Sequence, residues 1–183
     1  MRPSNRTNIL DAAVRVIERD GITALTFEAV ATESGIARGG LLYHFPSREA
    51  LLQGIHQHLA GVWEASMVAA AGKPGDVADA TERYQAYALT CAQTATRAEL
   101  QLMFDAAATD DNMQPWARVV EHWSPAAPQD LTDPVALDLF IAKLAADGMW
   151  VYEALSRSKL APEVRQVIAD RLAGLIAGAG TAS

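Results

Sequence analysis

The chain has 183 residues, half of them hydrophobic, with a formal net charge of −7 at pH 7 and a single cysteine. That length suits one domain or two small ones that share an interface. The acidic total alone argues against nucleic acid as a partner, and no run of about 18 apolar residues exists that could span a bilayer.

The charge is unevenly spread. Residues 1–60 carry six Lys/Arg (Arg2, Arg6, Arg15, Arg19, Arg38, Arg48) and six Asp/Glu, so the whole deficit falls in residues 61–183, which carry 9 Lys/Arg and 16 Asp/Glu. An acidic bulk with one neutral end is compatible with DNA contact at that end. Ala, Leu, Glu, Asp and Arg dominate, and period-two Val/Ile/Thr alternation is nowhere sustained, so an all-α fold is expected. Cys91 cannot form an intrachain disulfide and reads as a small buried hydrophobe in a reducing compartment. No apolar leader opens the chain, and a cytoplasmic location is expected.

In chain order, Ile9, Leu10, Ala13, Val14 and Ile17 recur at helical spacing and Gly21 follows as a stop, which predicts a first helix over 5–20. Arg2 and Arg6 stand at its start. Thr26 is a good N-cap for a second, short helix that Gly35 ends. A third runs from about Arg38 to His44, before Phe45-Pro46. Ser47 caps a fourth, with Glu49 in its first turn, where a carboxylate favours the helix dipole.

Two short helices joined by a tight, Gly-containing turn are a helix-turn-helix signature, in which the second helix enters the major groove. Gly39 and Gly40 each cost such a helix roughly 1 kcal/mol relative to Ala. They also remove side chains, so that backbone can lie close to the groove floor. Arg38 can reach a guanine edge or a phosphate. Tyr43 and His44 have polar tips suited to phosphate, and Arg48 adds a cation beside them. The competing reading is a helical corner in which Tyr43 and His44 cover a core.

The segments Ile9-Leu10-Asp11-Ala12-Ala13, Gly21, Leu25-Thr26, Val30-Ala31, Ser34-Gly35-Ile36 and Leu42-Tyr43-His44-Phe45-Pro46-Ser47-Arg48-Glu49-Ala50-Leu51-Leu52 together resemble the TetR family of bacterial repressors. The resemblance covers roughly residues 6–55. It implies DNA contacts from Thr26, Arg38, Gly39, Gly40, Leu42, Tyr43, His44 and Arg48. Three positions depart from the family pattern. Ala37 stands where a Ser or Thr cap is common. Leu42 stands where the family usually has the Tyr that touches DNA, and Tyr43, the next position, takes that contact. Arg48 replaces the usual Lys, and either binds phosphate. The expected division is a DNA-binding domain over 1–46 and a ligand-binding and dimerisation domain over 47–183.

The fourth helix extends to about Ala71, where Gly72-Lys73-Pro74-Gly75 ends it. Leu52, Ile55, Leu59, Trp63 and Met67 form one stripe on a rod about 35 Å long. Further helices are expected at roughly 76–95, 97–109, 113–124, 133–156 and 161–178. The 133–156 segment is apolar nearly all round, so it must be covered on more than one side. With the last helix, it is suited to a four-helix interface with a second copy of itself. The resemblance implies that homodimer, and a two-fold dimer suits double-stranded operator DNA of palindromic sequence.

All four Trp lie after residue 60. Trp63, Met67, Tyr84, Met103, Phe104 and Trp116 are candidates for a site that takes a flat, apolar or cationic inducer, with Asp105 and Asp147 as counter-charges. Ordinary core packing for the aromatics and exposed or capping positions for the acids is the alternative. The layout, with Trp63 and Asp147-Gly148-Met149-Trp150, also looks like the family's multidrug-responsive repressors of efflux pumps. A sensor of one metabolite controlling a biosynthetic or catabolic gene is the runner-up.

Other chemistries find no motif. His56 and His58 are two apart on a helix and point different ways, and no cysteine cluster exists, so no metal is expected. No phosphate-cradling loop follows a strand, and no cofactor is expected. Neither a catalytic triad nor a nucleophile motif is present, so the chain reads as a regulator rather than an enzyme or a DNA-independent helical adaptor.

Overall fold

The computed structural model describes residues 4–180 apart from 94 and 131; Arg2 therefore lies outside the described residues. Among them the regular elements are all helical: α1 (Asn5–Asp20), a single 3-10 turn (Ile22–Ala24), α2 (Phe27–Ser34), α3 (Arg38–His44), α4 (Arg48–Ala71), α5 (Ala80–Cys91), α6 (Arg97–Ala106), α7 (Asp110–Trp123), α8 (Pro134–Leu155) and α9 (Pro162–Gly180).

Local chemistry explains most of the boundaries. The Ser4 hydroxyl accepts from the Thr7 N–H at 3.2 Å to open α1, and the Thr26 hydroxyl accepts from Ala29 N–H at 3.1 Å to open α2. Gly35 ends α2 at φ 69°, a left-handed conformation that glycine adopts without strain. Ser47 accepts from Ala50 N–H at 3.1 Å at the start of α4. Reciprocal capping boxes open α5 (Asp79 with Glu82) and α6 (Thr96 with Glu99). Asp133 accepts from both Val135 and Ala136 N–H ahead of α8, whose first residue is Pro134.

The chain divides into two compact units. One comprises residues 1–61 and 96–116, and so holds α1 to α3, the first half of α4, α6 and the start of α7. Its core is built on Ile9, Leu10, Ala13 and Ile17 of α1, Val30 of α2, Leu41 of α3, Phe45, Leu51 and Ile55, closed by Ala98 and Leu102 of α6. Gly54 matters here. A Cβ at that position would stand 2.6 Å from the Phe45 ring, so the glycine is what lets the Phe45 ring approach the α4 backbone. His58 pairs with Asp11 at 2.7 Å, and Glu18 accepts from Ala98 N–H at 3.1 Å, tying α4 and α6 to α1.

The other unit comprises residues 62–95 and 117–183, with the second half of α4, α5, the rest of α7, α8 and α9. Helices α5, α8 and α9 pack on one another. Glu153 of α8 is fully buried. Its Oε1 accepts from Leu160 N–H at 2.9 Å, and Oε2 lies 3.8 Å from the Arg165 guanidinium of α9, which fixes the α8–α9 connection. Cys91 is buried, as its residue type suggests, and burial pushes its thiol up to about 12, so it is not a thiolate at neutral pH.

Candidate nucleic-acid interface

Helix α3 has seven residues, two of them glycine, and Ala37 gives it no side-chain cap. Leu41 is its one buried residue; it enters the core beside Val30 and Phe45. The rest of the helix is a solvent-facing display. Tyr43 is 85% exposed, Leu42 and Arg38 are exposed, and His44 is half-buried with its ring 5.2 Å from the Tyr43 ring, edge-on. A phenol so exposed on a short helix does not cover a core, which removes the helical-corner reading for Tyr43. A Cβ on Gly39 would meet open space, whereas one on Gly40 would lie 2.9 Å from the Ile36 side chain. Gly39 therefore keeps the outer surface bare, and Gly40 lets α3 close on the turn.

Two of the cations are already engaged within the protein. Arg48 donates from Nε to the Leu25 carbonyl at 3.2 Å and from Nη2 to the Ile22 carbonyl at 3.3 Å, so it staples the turn before α2 to the start of α4. Arg38 donates to Glu28 of α2. Thr26 caps α2, with its hydroxyl on the backbone.

The remaining candidates divide between the units. In the first, sequence reasoning missed the residue that joins them. His56 of α4 is fully buried, with Nε2 3.2 Å from Asp105 Oδ2, and the Trp116 indole N–H donates to its Nδ1 at 3.2 Å. An indole nitrogen only donates, so Nδ1 must be unprotonated and the proton sits on Nε2, donated to Asp105. Asn112 also donates to Asp105, at 3.4 Å. Burial holds the His56 pKa below its ordinary 6.5, against the opposing pull of Asp105. His56 is thus neutral, and among the described residues no Lys or Arg pairs with Asp105. Met103 is half-buried and Phe104 is 72% exposed. Nothing in the sequence marks a pairing across 49 residues.

In the second unit, Met67 is buried, Tyr84 is half-buried, and Trp63 meets the Tyr87 ring edge-on at 5.5 Å. Tyr87 donates its hydroxyl to Asp147 Oδ1 at 2.5 Å, and Lys143 donates to Oδ2 at 2.5 Å. Burial first, then the neighbouring Cys91 and Asp147, pushes the Tyr87 phenol far up. Asp147 is therefore neutralised by Lys143 one helical turn away. The i,i+4 spacing of that pair was visible in the sequence.

The His56 geometry has a measurable consequence. Its folded pKa is depressed, so the unfolded chain binds more protons below pH 6.5. Stability is full above that value and falls as the pH drops through it. Urea midpoints are expected to decrease between about pH 7.5 and pH 5.5, and His56→Asn should flatten that segment. The depressed carboxylates Glu33, Glu49, Glu82 and Asp130 titrate below their ordinary values of 4.5 and 3.8, outside this window. An unchanged slope in His56→Asn would contradict the assignment.

A capped helix, a glycine turn and a short helix that shows Tyr43 to solvent make up a helix-turn-helix unit. Residues 9–55 match the bacterial regulatory proteins of the tetR family, and residues 81–177 match the tetracyclin repressor-like C-terminal domain. The chain belongs to the TetR family of transcriptional regulators, which bind operator DNA and small-molecule ligands and are not enzymes. It is 32% identical over 57 residues to the HTH-type transcriptional regulator YerO of Bacillus subtilis (strain 168), a match covering 31% of this chain and 20% of that protein. The fold is similar to SCO7518 of Streptomyces coelicolor A3(2) (TM-score 0.62, 19% identity, covering 95% of this chain and 99% of that one). It is similar also to the TetR-family regulator SCO4454 of Streptomyces coelicolor (TM-score 0.64, 16%, covering 96% and 93%). A third is the multidrug binding protein EbrR complexed with malachite green (TM-score 0.61, 24%, covering 93% and 98%). At these identities the structural likeness is one of fold. Among the described residues no helix is long and apolar enough to cross a membrane.

Proposed function

We propose that this chain is a ligand-responsive repressor that binds a palindromic operator as a homodimer in the cytoplasm. A small apolar or cationic compound releases it, and the controlled gene encodes an efflux transporter. Thr26, Arg38, Gly39, Gly40, Leu42, Tyr43, His44 and Arg48 form the DNA-facing surface, within a DNA-binding domain of residues 1–46. Residues 47–183 bind the ligand and dimerise.

One observation carries the cationic part of this reading. Asp105 is a carboxylate that no cation of the described chain neutralises, and its ring partner is a neutral histidine. A ligand cation supplies the missing charge, and aromatic faces add to its hold. EbrR, whose fold is similar, is a multidrug binding protein complexed with malachite green in one structure and with ethidium in another. Helix α4 carries both Arg48 and His56 and so is the element through which a ligand at Asp105 reaches the DNA-binding helices. Release requires that the compound bind the form that leaves DNA more tightly, by a few kcal/mol.

The dimer reading rests on an exposed stripe. Leu137, Ile141, Leu144, Val151 and Leu155 of α8 are all exposed and fall, with Gly148, at alternating spacings of four and three. That is a coiled-coil-like seam, and an apolar patch of this size on a soluble protein marks an interaction surface. Val164, Val167 and Leu175 of α9 are exposed as well.

The second unit favours the alternative, a sensor of one specific metabolite controlling a biosynthetic or catabolic gene. There Asp147 is already neutralised, and the Tyr87–Asp147–Lys143 set offers directional polar contacts rather than a free charge. The experiment is a titration of the protein–operator complex with ethidium, with tryptophan fluorescence read in parallel. Quenching with release of DNA, and its loss in Asp105→Asn, is expected. Binding of ethidium unchanged in Asp105→Asn, or no release, would overturn the cationic reading in favour of the metabolite one.

A further inference from the structure

Arg38 is the first residue of α3, and its guanidinium donates from Nη1 to Oε1 of Glu28 in the first turn of α2. Both side chains are exposed, 62% and 64%, so burial does not force them together. A cation at a helix N-terminus is opposed by the helix dipole, and α3 has no side-chain cap to offset that. Glu28 supplies the compensating charge. It also brings a carboxylate onto the surface that carries Arg38 and Tyr43.

A carboxylate there treats the two possible targets of Arg38 differently. A phosphate is repelled by Glu28, and can take Arg38 only by drawing it out of the pair. A guanine edge is neutral and presents two acceptors, O6 and N7. The Nε–H and Nη2–H edge of the Arg38 guanidinium is not used in the pair with Glu28, so it can serve both acceptors while Nη1–H stays on the carboxylate. The pair also narrows the positions the guanidinium samples, which lowers the side-chain entropy lost on a bidentate contact.

We propose that Glu28 is a specificity-determining residue: by holding Arg38 in an ion pair across the helix-turn-helix turn, it commits that arginine to a guanine edge and away from the phosphate backbone. The inference rests on the reading that the start of α3 faces base edges. Because an exposed pair of this kind adds little to stability, its removal leaves a folded protein on which binding can be read.

The test uses the full chain and a duplex selected by it from a random pool. Binding is measured for the parent, Glu28→Gln and Arg38→Gln on that duplex, on versions with each base pair changed in turn, and on random duplex, at several salt concentrations. In the parent, one G·C pair in each half-site should cost about 10- to 100-fold when replaced. Glu28→Gln should shrink that penalty to about threefold or less, raise the affinity for random duplex about three- to tenfold, and steepen the salt dependence by about one counterion. Arg38→Gln should lose the same penalty without the gain on random duplex. If Arg38→Gln loses the penalty and Glu28→Gln keeps it, the role of Glu28 is overturned and the placement of α3 stands. If neither variant alters any single-base penalty, the placement of α3 falls as well. Equal weakening by Glu28→Gln on selected and random duplexes would make the pair a structural contact only, and would also overturn the proposal.

Discussion

Replacing Leu41 by alanine is expected to cost about 2–5 kcal/mol of stability, and to cost operator binding more than any exposed substitution on the same helix. Leu41 is fully buried and is the single anchor of α3 in the core shared by α1, α2 and α4. The helix has little else to hold it. Seven residues are too few for an isolated helix to persist, two glycines weaken it by roughly 1 kcal/mol each, and Ala37 leaves its first N–H groups without a side-chain acceptor. Removing the Leu41 side chain therefore leaves a cavity and loosens the element that presents Tyr43 and Arg38. Urea unfolding should show a lower midpoint with an unchanged slope, and amide exchange at residues 39–44 should accelerate more than the global loss requires. Leu42, its neighbour, is 38% exposed. Leu42→Ala should change stability by about 0.5 kcal/mol or less. Equal losses for the two variants would mean that α3 is not anchored as described.

The second large effect concerns the stripe on α8. Leu144 is 53% exposed and sits mid-seam between Ile141 and Val151. In a two-fold dimer each residue of the seam is buried twice. Leu144→Asp places an unpaired carboxylate in the interface from each copy, at roughly 3–5 kcal/mol apiece. Dimer affinity should fall by on the order of 10,000-fold or more, since the two carboxylates together cost about 6 kcal/mol at least and each 1.4 kcal/mol is a factor of ten. Sedimentation should show the parent as a dimer and Leu144→Asp as a monomer at about micromolar concentration, with a helical circular dichroism spectrum little changed. A monomeric parent, or a dimeric variant, would place the interface elsewhere.

Much of the fold was legible in the residues because the signals are local. Hydrophobic spacing with Gly21 gave α1, and Thr26 and Gly35 bracket α2 to the residue. Helix α3 begins and ends where its glycines and Pro46 suggested. The boundaries moved where capping chemistry outweighs periodicity. Helix α5 begins at Ala80, not near 76, because Asp79 and Glu82 close a capping box and Pro74 to Ala78 form a turn. Helix α7 begins at Asp110, not 113, with Asp110 and Asp111 in its first turn, where carboxylates favour the helix dipole. The all-round apolar character of α8 reflects two surfaces, one packed on α5 and α9 and one exposed. What was not legible is tertiary pairing. Asp105 and Asp147 both stand in apolar runs, but only Asp147 has a lysine four residues before it. The structure pairs Asp147 with that lysine inside α8, whereas it gives Asp105 a neutral histidine 49 residues away, a partner that only the packing of α4 on α6 supplies.

Two copies of this chain are expected to present two α3 helices to successive major grooves. Selection of duplexes from a random pool by this chain, followed by sedimentation of the complex to count chains per duplex, measures that arrangement. A palindromic site with half-site centres about 34 Å apart, or about 10 base pairs, or a multiple of that spacing, carrying an even number of chains, is expected. A single chain on a non-palindromic site, or binding without sequence preference, would contradict it.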